Sequence, residues 1–183
     1  MRLTVIGSGD AFGSGGRLQT CFHVDAGDTT FLVDCGASAL IGMHREQLDP
    51  NEVETIFISH LHGDHFAGLV WWKIHAHHTI RRTRPLTIAG PVGLKTRFDQ
   101  ACEVLFPGSS RVEPRFETTF VEFEAEKALE VDGTRLTAFA GEHPSGALSA
   151  ALRLVRDGKV LSYSGDTDWV DAVIACSTGA VVF

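Results

Sequence analysis

Apolar positions fall into short runs along this chain, and glycine-rich or acidic breaks separate them. Residues 3–6 read as a first strand. Residues 20–25 and 30–34 predict a hairpin around Ala26-Gly27-Asp28. Residues 38–47 carry a helical pattern, and Asp49-Pro50 breaks it before the next apolar run. That run, Thr55-Ile56-Phe57-Ile58, is β-branched and aromatic, as a buried strand would be. Residues 66–82 predict a helix closed by Arg84-Pro85. Residues 86–89 predict a strand running into a turn at Gly90-Pro91, and 96–106 a further helix. Across 113–132, acidic residues such as Glu117, Glu122 and Glu124 sit among Phe116, Phe120 and Phe123, the pattern of strands with one wet face. Residues 134–140 read as a strand, and 147–155 with 159–163 as a hairpin across Arg156-Asp157-Gly158. No repeat, low-complexity tract or linker interrupts the series, so the chain reads as one domain, 1–183. Periodicity alone gives only a mixed α/β (α+β) fold; the strand-rich opening, central helix and second strand-rich half suggest two packed sheets with helices outside.

Two breaks invite closer reading. Gly7-Ser8-Gly9 opens a loop that runs to Gly16 and superficially suggests dinucleotide binding. That fingerprint needs a helix opening on its last glycine. Ser14-Gly15-Gly16 is a poor helix start, so the loop is expected to be a flexible wall beside a site. At the other end, Ala180-Val181-Val182-Phe183 reads as the beginning of a strand.

Composition narrows the class. The chain has 183 residues, 44% apolar and 21% charged, enough for a substantial core. A net charge of -7 argues against a wholesale nucleic-acid coat. Cys21, Cys35, Cys102 and Cys176 form no Cys-x-x-Cys pair and read as small buried hydrophobes with free thiols. A reducing, cytoplasmic setting is expected. The first residues hold too short an apolar run for a signal-peptide core, and no run reaches membrane-span length, so no membrane partner is expected. Against the acidic whole, residues 66–98 contain no Asp or Glu while holding Lys73, Arg81, Arg82, Arg84, Lys95 and Arg97. That island is a candidate dock for a small anionic or phosphodiester substrate. His75, His77 and His78 lie on the same predicted helix, which points them in different directions, so most are expected to face solvent.

The chemistry concentrates directly after the 55–58 strand. His60, His62, Asp64 and His65 place four metal-ligand side chains within six residues. Positions i and i+2 of an extended segment point the same way, so His60 and His62 can grip one ion. Gly63 permits a sharp turn, and Asp64 and His65 then sit where a helix begins, aimed at a different point. Two pairs on such an elbow fit two neighbouring ions better than one. His143, before Pro144, and Asp166, after Ser164-Gly165, each lie in a loop at a strand end. A carboxylate can bridge two ions, which a neutral imidazole cannot. Asp34, ending the 30–34 strand, is a candidate to orient a metal-bound histidine from behind.

These motifs resemble the metallo-β-lactamase superfamily. The His-x-His-x-Asp-His stretch is complete in residues 60–65, Asp34-Cys35-Gly36 matches the early Asp-x-Gly, and Ser164-Gly165-Asp166-Thr167 matches a later Ser-Gly-Asp-Thr. The early Gly-Ser-Gly-Asp-Ala-Phe-Gly-Ser-Gly-Gly-Arg loop is most similar to the ribonuclease Z and phosphodiesterase branch. The resemblance implies a four-layer αββα sandwich. It implies that His60, His62 and His143 hold the first metal, that Asp64 and His65 hold the second, and that Asp166 bridges them. It also implies a further ligand His after the bridging Asp. Seventeen residues follow Asp166 and none is His, so a chain truncated relative to its relatives, lacking its last strands and helix, is expected.

The expected function is metal-dependent hydrolysis of a phosphodiester, ribonuclease Z-like or cyclic nucleotide phosphodiesterase-like, by hydroxide held between two ions, with Asp64 as the catalytic residue that orients it. Zinc suits three His and a carboxylate, with manganese or iron as alternatives. The chain has no long Gly/Pro/Lys-rich insertion of the kind ribonuclease Z uses to hold tRNA, so RNA is the less favoured substrate. A homo-oligomer is compatible with the sequence. Two rivals remain: thioester, lactone or β-lactam hydrolysis at the same centre, and a non-catalytic metal-binding domain that recruits a partner through an unpaired terminal strand.

Overall fold

The computed structural model describes residues 1–113 and 115–183. Pro114, inside the stretch predicted as acidic strands, lies outside the described residues. The first sheet holds β1 (Arg2–Gly7), β2 (Cys21–Asp25), β3 (Thr30–Val33), β4 (Thr55–Phe57), β5 (Leu86–Pro91) and β6 (Thr118–Phe123), side by side in that order. β1 to β3 pair antiparallel, and β3 to β6 pair parallel. Parallel neighbours need crossovers. These are α1 (Ala39–Arg45), then α2 (Gly63–Phe66) with α3 (Gly68–His78), then α4 (Leu94–Leu105). The second sheet holds β7 (Ala128–Val131), β8 (Thr134–Ala140), β9 (Ala150–Arg156) and β10 (Lys159–Tyr163), all antiparallel in the order β10-β9-β8-β7. α5 (Asp171–Ser177) packs against β8, β9 and β10.

Alternation along the strands builds two cores. Leu32, Ile56 and Ile88 pack with Leu69, Val70, Trp72 and Phe98 of the helices. Their neighbours Phe31, Val33, Phe57 and Ala89 pack with Leu136, Ala138, Leu152 and Leu154 of the second sheet. Both faces of the central strands are therefore covered, which is why they read as unbroken apolar runs. The layers are α, β, β, α, as the resemblance implied. Each fully buried side chain of this size contributes about 1.5–3 kcal/mol, so the two cores dominate stability and leave polar contacts to set local geometry.

Several boundaries differ from expectation. The helix predicted over 66–82 starts earlier, at Gly63, is interrupted at Ala67 and ends at His78. The interruption follows from diverted hydrogen bonds. Gly68 N donates to Cys35 O (2.9 Å) rather than back along the helix, while Cys35 N donates to His65 O (2.6 Å). Beyond His78 the chain unwinds through Arg81, in the left-handed region (φ 50). β5 continues through Gly90-Pro91, which pair with Glu122 and Phe123. The turn falls instead at Val92-Gly93 (φ 96), so α4 begins at Leu94. Pro91 is tolerated because the β4 partnership has ended by then, at Phe57↔Ala89. The strand read at 180–183 starts as expected: Val181 N donates to Val160 O (2.8 Å) and Ser162 N to Val182 O (3.0 Å), alongside β10.

Candidate metal centre

The parallel strands end at one edge of the first sheet, and the ligand-type residues gather there. Ile58 N donates to Ala89 O (2.8 Å). The chain then passes through buried His60 and half-buried His62 into α2. The loops after β8 and β10 bring His143 and Asp166 from the second sheet to the same place. Ala150 N donates to Ser59 O (3.1 Å), tying the two edges together.

Two groups of ligand atoms result. One atom each from His60, His62 and His143 lie within 4.8 Å of one another, and so do atoms from His60, His65 and Asp166. His60 belongs to both. His143 Nε2 approaches His62 Nδ1 at 2.9 Å. Asp166 faces both groups, with Oδ1 3.3 Å from His65 Nε2 and Oδ2 3.9 Å from His143 Nε2. Of the six residues expected as ligands, five fall within these groups. Asp64 lies at the margin of the second, its Oδ2 3.5 Å from His65 Nε2.

Asp34 fastens this arrangement from behind. Fully buried and in the left-handed region (φ 57), it accepts from Ser59 N (2.7 Å) and Ser59 Oγ (2.8 Å), and its Oδ2 lies 2.6 Å from His65 Nδ1. The sequence made it a candidate for this orienting role, and its partners give that role a geometry. Ser59 was not foreseen. Its single proton goes to Asp34, so its oxygen accepts from His60 Nδ1 (3.1 Å). That fixes the tautomer and leaves His60 Nε2 as a lone pair. Tyr163, behind Asp34, is also new: its hydroxyl lies 3.4 Å from His65 Nδ1. Only a serine before the first histidine hinted at the former, and nothing in the pattern at the latter.

The electrostatics follow from the packing. Burial, then the neighbouring His65, lowers the His60 pKa to about 4. Burial also opposes charge on His65, but hydrogen bonds to Asp166 and Asp34 outweigh it and raise its pKa to about 10. The His65 hydrogen bond lowers Asp166 against its burial. Burial and the Asp34 charge raise Tyr163. A cation is thus favoured between Asp34 and Asp166, and the His65 proton supplies one.

The donor set fits metal binding. His60 Nε2 is buried with no hydrogen-bond partner among the described residues, although His60 shares its two groups with four other ligand side chains, His62, His143, His65 and Asp166. An orphaned buried nitrogen costs about 1–3 kcal/mol unless something binds it. Histidine and carboxylate donors of this kind suit zinc-type ions.

The basic island fares differently. Arg82 is buried, stacked on Trp72 and Phe116, and donates to the carbonyls of Asn51, Val53, Arg84 and Pro85. It is a structural pin and not a dock. Lys73 donates to Ser109 O, Arg84 pairs with Glu54, and Lys95 pairs with Asp99. His78 is exposed, whereas His75 and His77 are half-buried, His75 against His44. The glycine-rich loop opens no long helix, only a short 3-10 turn at Ser14–Gly16. All four cysteines are buried and free. Among the described residues no helix is long and apolar enough to cross a membrane.

Comparisons with known proteins bear on family and fold. A family model described as Anti-Pycsar protein Apyc1 matches residues 1–181. The chain is 34% identical over 95 residues to a ribonuclease Z of Exiguobacterium sp., covering 52% of this chain and 31% of that protein. It is 30% identical over 147 residues to a ribonuclease BN of Erwinia tasmaniensis, covering 79% of this chain and 46% of that protein. It therefore spans less than half the length of these curated relatives. Its fold matches human tRNase Z, short form, with TM-score 0.77 at 24% identity, covering 97% of this chain and 74% of that one. It also matches the metallo-β-lactamase fold protein YhfI from Bacillus subtilis, with TM-score 0.74 at 21% identity, covering 96% and 67%.

Proposed function

The chain belongs to the Anti-Pycsar protein Apyc1 family, and on that footing we propose that it is a metal-dependent phosphodiesterase acting on a small anionic substrate. The observation that carries the reading is the pair of ligand groups sharing His60, with its unpartnered Nε2. Curated relatives are named ribonucleases, and cleaving RNA means cleaving a phosphodiester, which supports the bond type. The internal engagement of Lys73, Arg82, Arg84 and Lys95 leaves little of the basic island for a polynucleotide, which supports a small substrate, cyclic nucleotide-like, over RNA. The buried free thiols support a cytoplasmic setting.

In this reading His60, His62 and His143 would hold one zinc ion, Asp64 and His65 would hold a second, and Asp166 would be shared between them. The chemistry such ions would supply is activation of water near neutral pH and charge stabilisation at the phosphoryl oxygens. The chain's own residues prepare the place. Ser59 keeps His60 in its coordinating tautomer, Asp34 fixes the His65 ring, and Asp64, at the margin of the second group, orients the attacking water.

The test begins with bound metal per chain, by elemental analysis of protein purified without chelator, followed by turnover of bis(p-nitrophenyl) phosphate. Hydrolysis lost on chelation and restored by zinc is expected. Turnover confined to thioesters, lactones or nitrocefin would overturn the phosphodiester assignment. Activity surviving Asp166→Ala at unchanged metal content would overturn the bridging role.

A further inference from the structure

We propose that Arg97 is the residue that grips the anionic oxygens of the substrate beside the metal centre, an assignment that rests on the phosphodiesterase reading. Arg97 lies on the first turns of α4, which opens just past the carboxyl end of β5, at the edge where the ligands emerge. Its guanidinium reaches the loop carrying His143: a Cβ placed on Gly146 would lie 3.8 Å from Arg97 Nη2. Gly146 has φ 73, a conformation that suits glycine, so this wall stays open toward the arginine. Between them lies a bowl of about 270 Å³, lined by Leu61, Gly93, Thr96, Arg97, Gly146 and Ala147. Leu61 is the residue between His60 and His62, and Gly146 lies three residues after His143, so the bowl is lined by the two segments that carry the first ligand group.

Elimination among the island's cations points the same way. Lys73, Arg82, Arg84 and Lys95 are engaged as described above. Arg81 follows α3, on the stretch that enters β5 at its amino end, the opposite edge of the sheet. Arg97 is exposed, and its guanidinium has no ion-pair or hydrogen-bond partner among the described residues. In a chain of net charge -7, an unengaged guanidinium at the centre's rim gives a dianion or diester a local reason to settle there. A planar fork suits two phosphoryl oxygens at once.

The experiment compares the zinc-loaded parent with Arg97→Ala, Arg97→Lys and Arg81→Ala. For bis(p-nitrophenyl) phosphate, Arg97→Ala is expected to raise KM about tenfold, the scale of one charge-assisted contact at a half-open site, and Arg97→Lys to recover part of it. KM for uncharged p-nitrophenyl acetate should stay within twofold, and Arg81→Ala should match the parent. Inorganic phosphate, titrated by calorimetry, should bind Arg97→Ala about tenfold more weakly. Equal phosphate binding, or an equal change in KM for the acetate, would overturn the assignment. A parent that turns over no phosphodiester would sink the proposed function, and the calorimetry would still decide Arg97.

Discussion

Asp34→Asn tests whether the centre is held from behind as described. Asp34 receives three donors: Ser59 N, Ser59 Oγ and His65 Nδ1. Asparagine keeps one carbonyl oxygen and turns an NH2 toward donors. It can serve at most two of the three, and one buried donor then faces another. A buried donor left unpaired costs about 1–3 kcal/mol, so the expected loss is about 2–4 kcal/mol. Backbone strain does not contribute, because asparagine tolerates the left-handed conformation at least as well as aspartate. Urea denaturation of the metal-free variant should show a midpoint lower by about 1–2 M at an ordinary slope. The His65 ring also loses its anchor, so zinc affinity measured by chelator competition should fall about 10- to 100-fold. A midpoint within about 0.2 M of the parent and an affinity within twofold would refute the reasoning, since a buried three-donor carboxylate cannot be lost silently.

Three other outcomes follow from the packing. Gly68→Ala would put a Cβ 2.2 Å from Gly36 O and 2.6 Å from Cys35 O, backbone atoms that cannot rotate away. It should cost about 3 kcal/mol or more in urea melts, whereas Gly63→Ala, with its nearest neighbour at 3.8 Å, should cost under about 1 kcal/mol. Arg82→Lys keeps the charge but cannot reach four carbonyls from one nitrogen, so it should lower stability by about 3 kcal/mol; an unchanged Tm would contradict the pin. For metal-free protein, His65 is raised to about 10, so its contribution is full below its ordinary value near 6.5 and is lost as pH rises toward 10. His60 is lowered to about 4, so its contribution is present above its ordinary value and is lost as pH falls toward 4. Urea melts in chelator should therefore peak near neutrality, and added zinc should remove the alkaline decline; stability rising steadily to pH 10 would contradict both assignments.

The ligand elbow was legible because everything needed lies within a dozen residues: an apolar strand, a His-x-His at strand spacing, a glycine and a carboxylate-histidine pair. Asp34 was half-legible, since a strand-ending Asp can serve a turn or a ligand and only the spatial neighbour decides. Most of the basic island is engaged internally, which the sequence could not show because a run of cations says nothing of distant partners. Arg84 meets Glu54, 30 residues away, and Arg82 meets the carbonyl of Val53, 29 residues away. The helix break at Ala67 was hidden for the same reason. The competing acceptor, Cys35 O, belongs to a different element, and local propensity cannot see it. Pro91 read as a turn because proline usually leaves a sheet, yet β4 had already ended beside it.

The gathering of ligand-type residues from two sheets would give a bound ion a mechanical role. His62 and His143 are 81 residues apart in the chain, and one belongs to each half of the sandwich. An ion held by both would join the two halves in the folded state and be released when the chain unfolds. Because the ion would leave on unfolding, its stabilisation would follow its free concentration over its Kd, about 2.7 kcal/mol at a hundredfold excess, a good fraction of a domain's whole stability. The molecule would then report metal scarcity through its own durability. Starved of ions, its two halves would lose their rivet, amide exchange would quicken where the sheets meet, and the chain would become easier for a protease to open.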